Sequence, residues 1–204
     1  MSRTGKPVII STGMATLSEI KEAVNIAKKN GCKQIALLKC TSSYPANPSS
    51  SNIITIPELR RKFSCEVGLS DHTLGFGVSL ASVALGATII EKHLTLSKAD
   101  FGVDSDFSIT PEELKTLVAE SDLARQSVGK VTFGVSDEME KYSTKFRRSI
   151  YVVKDIKKGE KFSKDNIRII RPANGIHPRN FSKVLGKKSK KNIIKGTPFL
   201  FNMV

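Results

Sequence analysis

His72 and His93 are two of the three histidines in 204 residues, and each stands just past a short apolar run. Cys65-Glu-Val-Gly-Leu69 precedes the first and Ala87-Thr-Ile-Ile90 the second. If both runs are parallel strands, the two imidazoles lie side by side. Alternation along a strand puts Ser70 on the face of His72 and Glu91 on the face of His93, so all four side chains can project into one mouth. Two imidazoles completed by water and substrate oxygens make an open, Lewis-acidic divalent-metal site, suited to polarising a carbonyl. Two hydrogen-bonded histidines with no metal satisfy the same spacing, and spacing alone leaves both readings open. Thr41, Ser42, Ser43 and Tyr44 supply hydroxyls without charge, fit for a polyhydroxylated or amidated ligand or simply for a turn. Ser11-Thr-Gly-Met14 either admits a ligand close to Gly13 or ends a strand. Asp104 and Asp106 are loop carboxylates with the metal, a sugar hydroxyl or solvent as partner.

Those residues need elements to hold them, and the hydrophobic pattern supplies a repeating one. Val8-Ile-Ile10, Ile35-Ala-Leu-Leu38, Cys65 to Leu69 and Ala87 to Ile90 read as strands. Between them lie helical patterns. Thr16-Leu-Ser-Glu19 is a capping box followed by Leu17, Ile20, Val24 and Ala27 on one face, and Ile56 to Phe63 carries an early proline. Phe76 to Leu85 is small and apolar. Thr110-Pro-Glu-Glu113 is a second capping box, predicting a helix with Leu114, Leu117, Val118 and Ser121 inward. Strand-helix units in series imply a parallel sheet covered on its outer face. No Gly-x-Gly-x-x-Gly follows the first strand, which argues against a dinucleotide fold. Each strand instead runs into a polar cluster at its C-terminal end, where (β/α)8 barrels carry their active sites. Four units are half of eight. The expected fold is α/β, the C-terminal half of a (β/α)8 barrel over residues 1–128.

Charge marks where that region stops. Residues 1–140 hold 15 Lys+Arg against 16 Asp+Glu, whereas residues 141–204 hold 18 against 3. A near-neutral region is thus joined to a strongly basic one, with a linker expected over 129–146 and a second domain over 147–204. The basic tail has few aromatics and no evident stacking platform, so a solvated basic surface is expected rather than a nucleic-acid interface. Three cysteines, Cys32, Cys40 and Cys65, without a C-x-x-C pair make neither a disulfide framework nor a thiolate zinc site. The apolar runs are too short for a membrane helix and the start is too short and polar for a signal peptide, which gives a cytoplasmic expectation.

In order and spacing, Gly5-Lys-Pro-Val-Ile-Ile-Ser-Thr-Gly-Met-Ala15, Cys40-Thr-Ser-Ser-Tyr-Pro45, Gly68-Leu-Ser-Asp-His-Thr73 and Glu91-Lys-His93 resemble the nonulosonic acid synthases, the family of bacterial sialic acid synthases. The resemblance continues through Arg148 to Glu160, Asn166 to Gly175 and Ile194 to Pro198, which look like the family's antifreeze-like SAF domain, a small β-rich β-clip. The family condenses phosphoenolpyruvate with an amino sugar. The Cys40 to Pro45 loop and Asp104-Ser-Asp-Phe-Ser108 look most like the pseudaminic acid branch. That branch implies a 2,4-diacetamido-trideoxy hexose as substrate and pseudaminate and phosphate as products. N-acetylneuraminate or legionaminate synthesis, a non-catalytic remnant, and a basic carbohydrate- or nucleic-acid-binding module are the alternatives.

Carried over by position, the resemblance makes His72 and His93 ligands of a divalent ion, with Mn2+ expected and Mg2+ or another ion as substitutes. It gives Ser11 and Ser70 contacts to phosphoenolpyruvate or its products. Ser42 and Tyr44 line the sugar site, Asp104 binds sugar hydroxyls and Glu91 handles a proton. Arg171 reaches the sugar's acetamido group from a neighbouring subunit of a homodimer. Ala173 stands where the family commonly has glycine, which bears on the geometry of that turn. The resemblance also implies an upstream half-barrel carrying the lysines that grip the phosphate, so this chain alone is expected to be inactive.

Overall fold

Thr16 and Glu19 cap a helix reciprocally: the Thr16 hydroxyl accepts from the Glu19 amide at 3.4 Å, and the Glu19 carboxylate accepts from the Thr16 amide at 2.6 Å. The helix they open, α1 (Leu17–Lys29), buries Ile20, Val24 and Ala27 along one side. It connects β1 (Val8–Ser11) to β2 (Ile35–Cys40). The unit then repeats through α2 (Thr55–Phe63), β3 (Glu66–Asp71), α3 (Gly77–Ala84), β4 (Ile89–Lys92) and α4 (Pro111–Val128). The computed structural model describes residues 1–99 and 102–204, which fall into two units, Met1–Lys130 and Val131–Val204.

In the first unit the strands are parallel, in the order β1-β2-β3-β4. Leu37, Val67 and Leu69 face the helices and share a core with Ile20, Val24, Ile56, Leu59 and Phe63. The opposite face carries Leu38, Gly68 and Ile89 in register. Gly68 is there for closeness: a Cβ on it would run into the Ile89 carbonyl oxygen and press on Leu38 Cδ2 at 2.7 Å.

The ladder extends further than the apolar runs suggest. β3 continues through Ser70 and Asp71, and β4 starts at Ile89 and continues through Glu91 and Lys92. Main-chain pairing, not hydrophobicity, decides where a strand ends, so the histidines are the first residues past their strands. The inward face expected of α4 is also corrected. Leu117 is buried, but Leu114 and Val118 are 37% and 63% exposed. Because β4 is the edge of the sheet, the helix overhangs that edge and leaves a cavity of about 930 Å³ lined by Ile89, Ile90, Leu114, Leu117, Val118 and Val128, among others.

Residues 129–146 hold a short helix that the polar sequence hides, α5 (Glu138–Ser143), capped by Asp137 on the Glu140 amide at 2.8 Å. In the second unit, β5 (Ser149–Val152) pairs antiparallel with β6 (Ile167–Ile170), and α6 (Phe181–Val184) follows. Ile150, Val152, Ile156, Phe162, Ile167, Val184, Ile193, Phe199 and Met203 form its own core, in which the Phe162 and Phe199 rings meet edge-on at 4.7 Å.

Replacing Gly68 by alanine is expected to destabilise the first unit by about 1–3 kcal/mol, because β3 and β4 must part to admit the methyl group. The check is the urea midpoint of the full chain by circular dichroism, with wild-type behaviour counting against this packing.

Candidate active site

A backbone carbonyl can only accept a hydrogen bond, and that fixes the first histidine. His72 Nδ1 lies 2.9 Å from the Thr41 carbonyl oxygen. Nδ1 therefore carries the proton, and in the neutral ring Nε2 keeps its lone pair. His93 Nδ1 lies 3.3 Å from Asp104 Oδ2. An ionised carboxylate is likewise only an acceptor, so the same tautomer follows. The two rings sit edge-on with centroids 5.1 Å apart. His72 is buried, while the His93 side chain is one-third exposed.

Two further rings complete the cluster. Tyr44 lies over His72 at 4.3 Å and near His93 at 5.9 Å. Phe107 lies 5.0 Å from His93 and 5.5 Å from Tyr44. In the sequence Phe107 is one apolar residue within the Asp104 to Ser108 motif; in the structure it is buried and backs the His93 and Tyr44 rings. The Thr41 main chain is a second functional group that side-chain chemistry does not advertise. Lys39 supports it, donating to the Cys40 carbonyl at 2.7 Å and to Thr41 Oγ1 at 3.2 Å. Burial lowers the pKa of that lysine below its ordinary value.

Alternation places Ser70 and Glu91 as expected. They are register partners, and Ser70 Oγ donates to Glu91 Oε1 at 2.8 Å. Ser11 ends β1, exposed, and Ser42 is exposed in the loop after β2. A Cβ on Gly13 would come within 3.2 Å of Ser42 Oγ, so the β1 and β2 loops approach each other. Asp104 was expected on sugar hydroxyls; its carboxylate, about half exposed, contacts His93. Asp106 is exposed. Behind the histidines, Asp71 and Lys92 form a buried ion pair at 3.0 Å. Burial alone would raise the Asp71 pKa, but hydrogen bonds from Ser79 and Thr73 and the charge of Lys92 outweigh it and hold the carboxyl below its usual range.

Arg171 belongs to the second unit and is exposed after β6. Its turn is tied down: Ser149 Oγ donates to the Pro172 carbonyl at 2.7 Å and accepts from the Gly175 amide at 2.9 Å. Ala173 needs no glycine-like conformation, since Asn52 and Ser64 are the described non-glycine residues with positive φ. Its amide donates to the Lys145 carbonyl at 2.9 Å.

Among the described residues no group of three or more His, Cys, Asp or Glu side chains is arranged to hold a metal ion. A closed structural site is thus not what the donors offer. Two imidazoles engaged at Nδ1 keep Nε2 as the donor that an open divalent site would use.

The family model described as NeuB family matches residues 1–133, and that of the SAF domain matches residues 147–204. The chain belongs to the NeuB family. It is 43% identical over 194 residues to N,N'-diacetyllegionaminic acid synthase of Campylobacter jejuni, covering 94% of this chain and 58% of that protein. It is 42% identical over 195 residues to the pseudaminic acid synthase of the same species, covering 95% and 56%. The solved N-acetylneuraminic acid (sialic acid) synthetase of Leptospira borgpetersenii superposes with a TM-score of 0.62 at 37% identity, over 70% of this chain and 50% of that one. The chain therefore spans somewhat more than half the length of the two C. jejuni synthases it matches. Its architecture is the half-barrel with SAF domain that the sequence implied. No helix among the described residues is long and apolar enough to cross a membrane.

Removing the Phe107 ring is expected to cost about 3–5 kcal/mol of local stability and to loosen the loop that holds Asp104 against His93. Faster proteolytic cleavage between residues 102 and 109 in Phe107→Ala than in wild type is the measurement, and equal rates would contradict it.

Proposed function

We propose that this chain supplies the metal-binding and sugar-binding side of a synthase that condenses phosphoenolpyruvate with a 2,4-diacetamido-trideoxy hexose, giving pseudaminate and phosphate. The observation that carries the reading is the pair of imidazoles, each engaged at Nδ1 and set 5.1 Å apart beside Tyr44, just past the ends of β3 and β4. Kinship with synthases of pseudaminic and legionaminic acid supports the reaction class. The two relatives are equally near, so the branch rests on the Cys40 to Pro45 and Asp104 to Ser108 loops.

His72 and His93 are the residues that would hold a divalent ion, Mn2+ by resemblance, and the ion when bound supplies polarisation of the open-chain aldehyde. C3 of phosphoenolpyruvate forms the new bond to the aldehyde carbon. Positive character grows at C2, water adds there, and C–O cleavage releases phosphate and leaves a 2-keto acid. Glu91, bonded to Ser70 Oγ, is placed to hold or pass the proton that the aldehyde oxygen gains. The Ser11 hydroxyl donates to the phosphate or carboxylate oxygens, where negative charge collects, and Ser70 does so by turning its one hydroxyl proton from Glu91 to the substrate. Tyr44 and Ser42 orient the sugar. Asp104 meets a sugar hydroxyl while keeping His93 in its tautomer. Arg171 reaches the acetamido group in a neighbouring subunit of a homodimer, and the phosphate grip comes from a half-barrel joined upstream.

The reading is tested by fusing this chain to the N-terminal portion of the C. jejuni pseudaminic acid synthase that it does not cover, then measuring phosphate and keto-acid product. Activity is expected to require Mn2+ and the pseudaminate-series sugar, and a preference for the legionaminate precursor would overturn the branch. His72→Ala or His93→Ala is expected to cost more than the ~10–100-fold typical of losing an outer-shell partner. In the same fusion, Arg171→Ala is expected to raise KM for the sugar about 10-fold or more while leaving that for phosphoenolpyruvate largely unchanged, as loss of one charge-assisted hydrogen bond requires. Equal loss for both substrates would remove Arg171 from the sugar site.

A further inference from the structure

Two charges have been taken out of water directly beneath the histidines. The Lys92 and Asp71 side chains are 2% and 1% exposed, with Nζ 3.0 Å from Oδ2. They are register partners on β3 and β4. Asp71 also accepts from the Ser79 hydroxyl of α3, which puts the pair on the helix side of the sheet, opposite Ser70 and Glu91. A lysine near a strand end in such an enzyme invites a phosphate-binding role. Lys92 is not available for one, because its ammonium is buried and committed to Asp71 and, at 2.6 Å, to the Thr73 carbonyl.

Stability does not account for the pair. Desolvating two ions generally costs as much as their attraction returns, and apolar replacement of such pairs is often neutral or favourable. What distinguishes this one is which residues it ties together. Asp71 Oδ1 accepts from both the amide and the hydroxyl of Thr73, each at 2.8 Å. Thr73 is thus held through its amide, its hydroxyl and its carbonyl, and Asp71 through its carboxylate. His72 is the single residue between these two anchors. Lys92, the other end of the network, is the residue before His93.

We propose that the Asp71–Lys92 pair is the positioning element of the two histidines: by clamping the residues on either side of His72 to the residue preceding His93, it sets the angle and separation at which the rings face each other. This rests on the reading of those histidines as the metal-binding centre, but the arrangement itself exists without metal. The loop contacts act downstream of it. The Thr41 carbonyl and Asp104 choose each ring's tautomer, whereas the buried pair fixes the backbone from which each ring is aimed. Neither Asp71 nor Lys92 touches substrate in this account.

The test uses the full chain and two variants. Lys92→Met leaves the Asp71 charge buried without a counter-ion, with only the Ser79 and Thr73 hydrogen bonds to hold it, so strong destabilisation is its expected fate. Asp71→Asn combined with Lys92→Met removes both charges, keeps an acceptor for Thr73 and is expected to fold with a wild-type-like melting temperature. Two readouts then separate positioning from a structural role. Long-range 1H–15N spectra of the imidazoles, recorded without metal, are expected to show Nδ1–H tautomers for His72 and His93 in wild type and shifted or mixed tautomers in the double variant. Titration with Mn2+ is expected to give about 10–100-fold weaker binding, the usual penalty for losing support behind a ligand. A folded double variant with wild-type ring spectra and wild-type Mn2+ affinity would overturn the proposal. So would a double variant that does not fold, since the pair would then serve the fold as a whole. Wild-type protein that binds no Mn2+ while its ring spectra respond as expected would leave the positioning pair standing and sink the metal-site reading instead.

Discussion

Neighbouring residues on a strand must face opposite sides of the sheet, and that constraint organises everything at the mouth of this half-barrel. The register of β3 on β4 matches Ser70 with Glu91 and Asp71 with Lys92. One pair is delivered to the face where chemistry can occur, the other to the face packed on helices. A one-residue slip of β4 would turn Glu91 toward α3 and Lys92 toward the mouth while Ser70 and Asp71 stayed in place, so both pairs would be lost. The histidines follow immediately and inherit the first face. Gly68 protects that register from below, because only a residue without a side chain lets β3 and β4 approach at that level.

Much of this was legible in the sequence because it is periodic. Capping boxes at Thr16 and Thr110 announced two helices, and branched runs ending in polar clusters announced parallel strands with a functional end. What was not legible was cooperative. Ser70, Asp71, Glu91 and Lys92 are in the ladder although nothing apolar marks them, since pairing with the adjacent strand holds them. α5 lacks an apolar stripe and owes its start to Asp137. Leu114 and Val118 have the spacing of a buried face, yet the space beneath them is open at the sheet edge, a fact of tertiary arrangement and not of helix pattern.

The site shows the same division. His72, His93, Ser70, Glu91, Tyr44 and Asp104 were all named from their types and spacing or from the resemblance, and the structure gathers all but Ser70 and Glu91 around one aromatic cluster, those two being bonded to each other two residues before the histidines. The groups that aim them were hidden. Thr41 acts through its carbonyl, which every residue possesses. Lys92 acts from the far side of the sheet, its ammonium buried against Asp71 and the Thr73 carbonyl. Asp104 sets the His93 ring through a carboxylate that reaches it from the loop after β4.

The cavity of about 930 Å³ beside α4 is a poor guide to where chemistry happens. Its lining is mainly aliphatic, with Arg60, Asp122 and Arg125 among its polar residues and neither histidine. The polar groups converge instead at the ends of the strands, in the shallower ground between the loops after β2, β3 and β4. Glu91 lines the cavity and also bonds Ser70, so it marks the border between the two. The aliphatic space belongs to the unpaired flank of β4 and the overhang of α4, whereas the hydroxyls and imidazoles converge where the sheet's own register holds them. Volume here reports an open sheet edge; function is better located by asking which polar side chains have had their hydrogen bonds chosen for them.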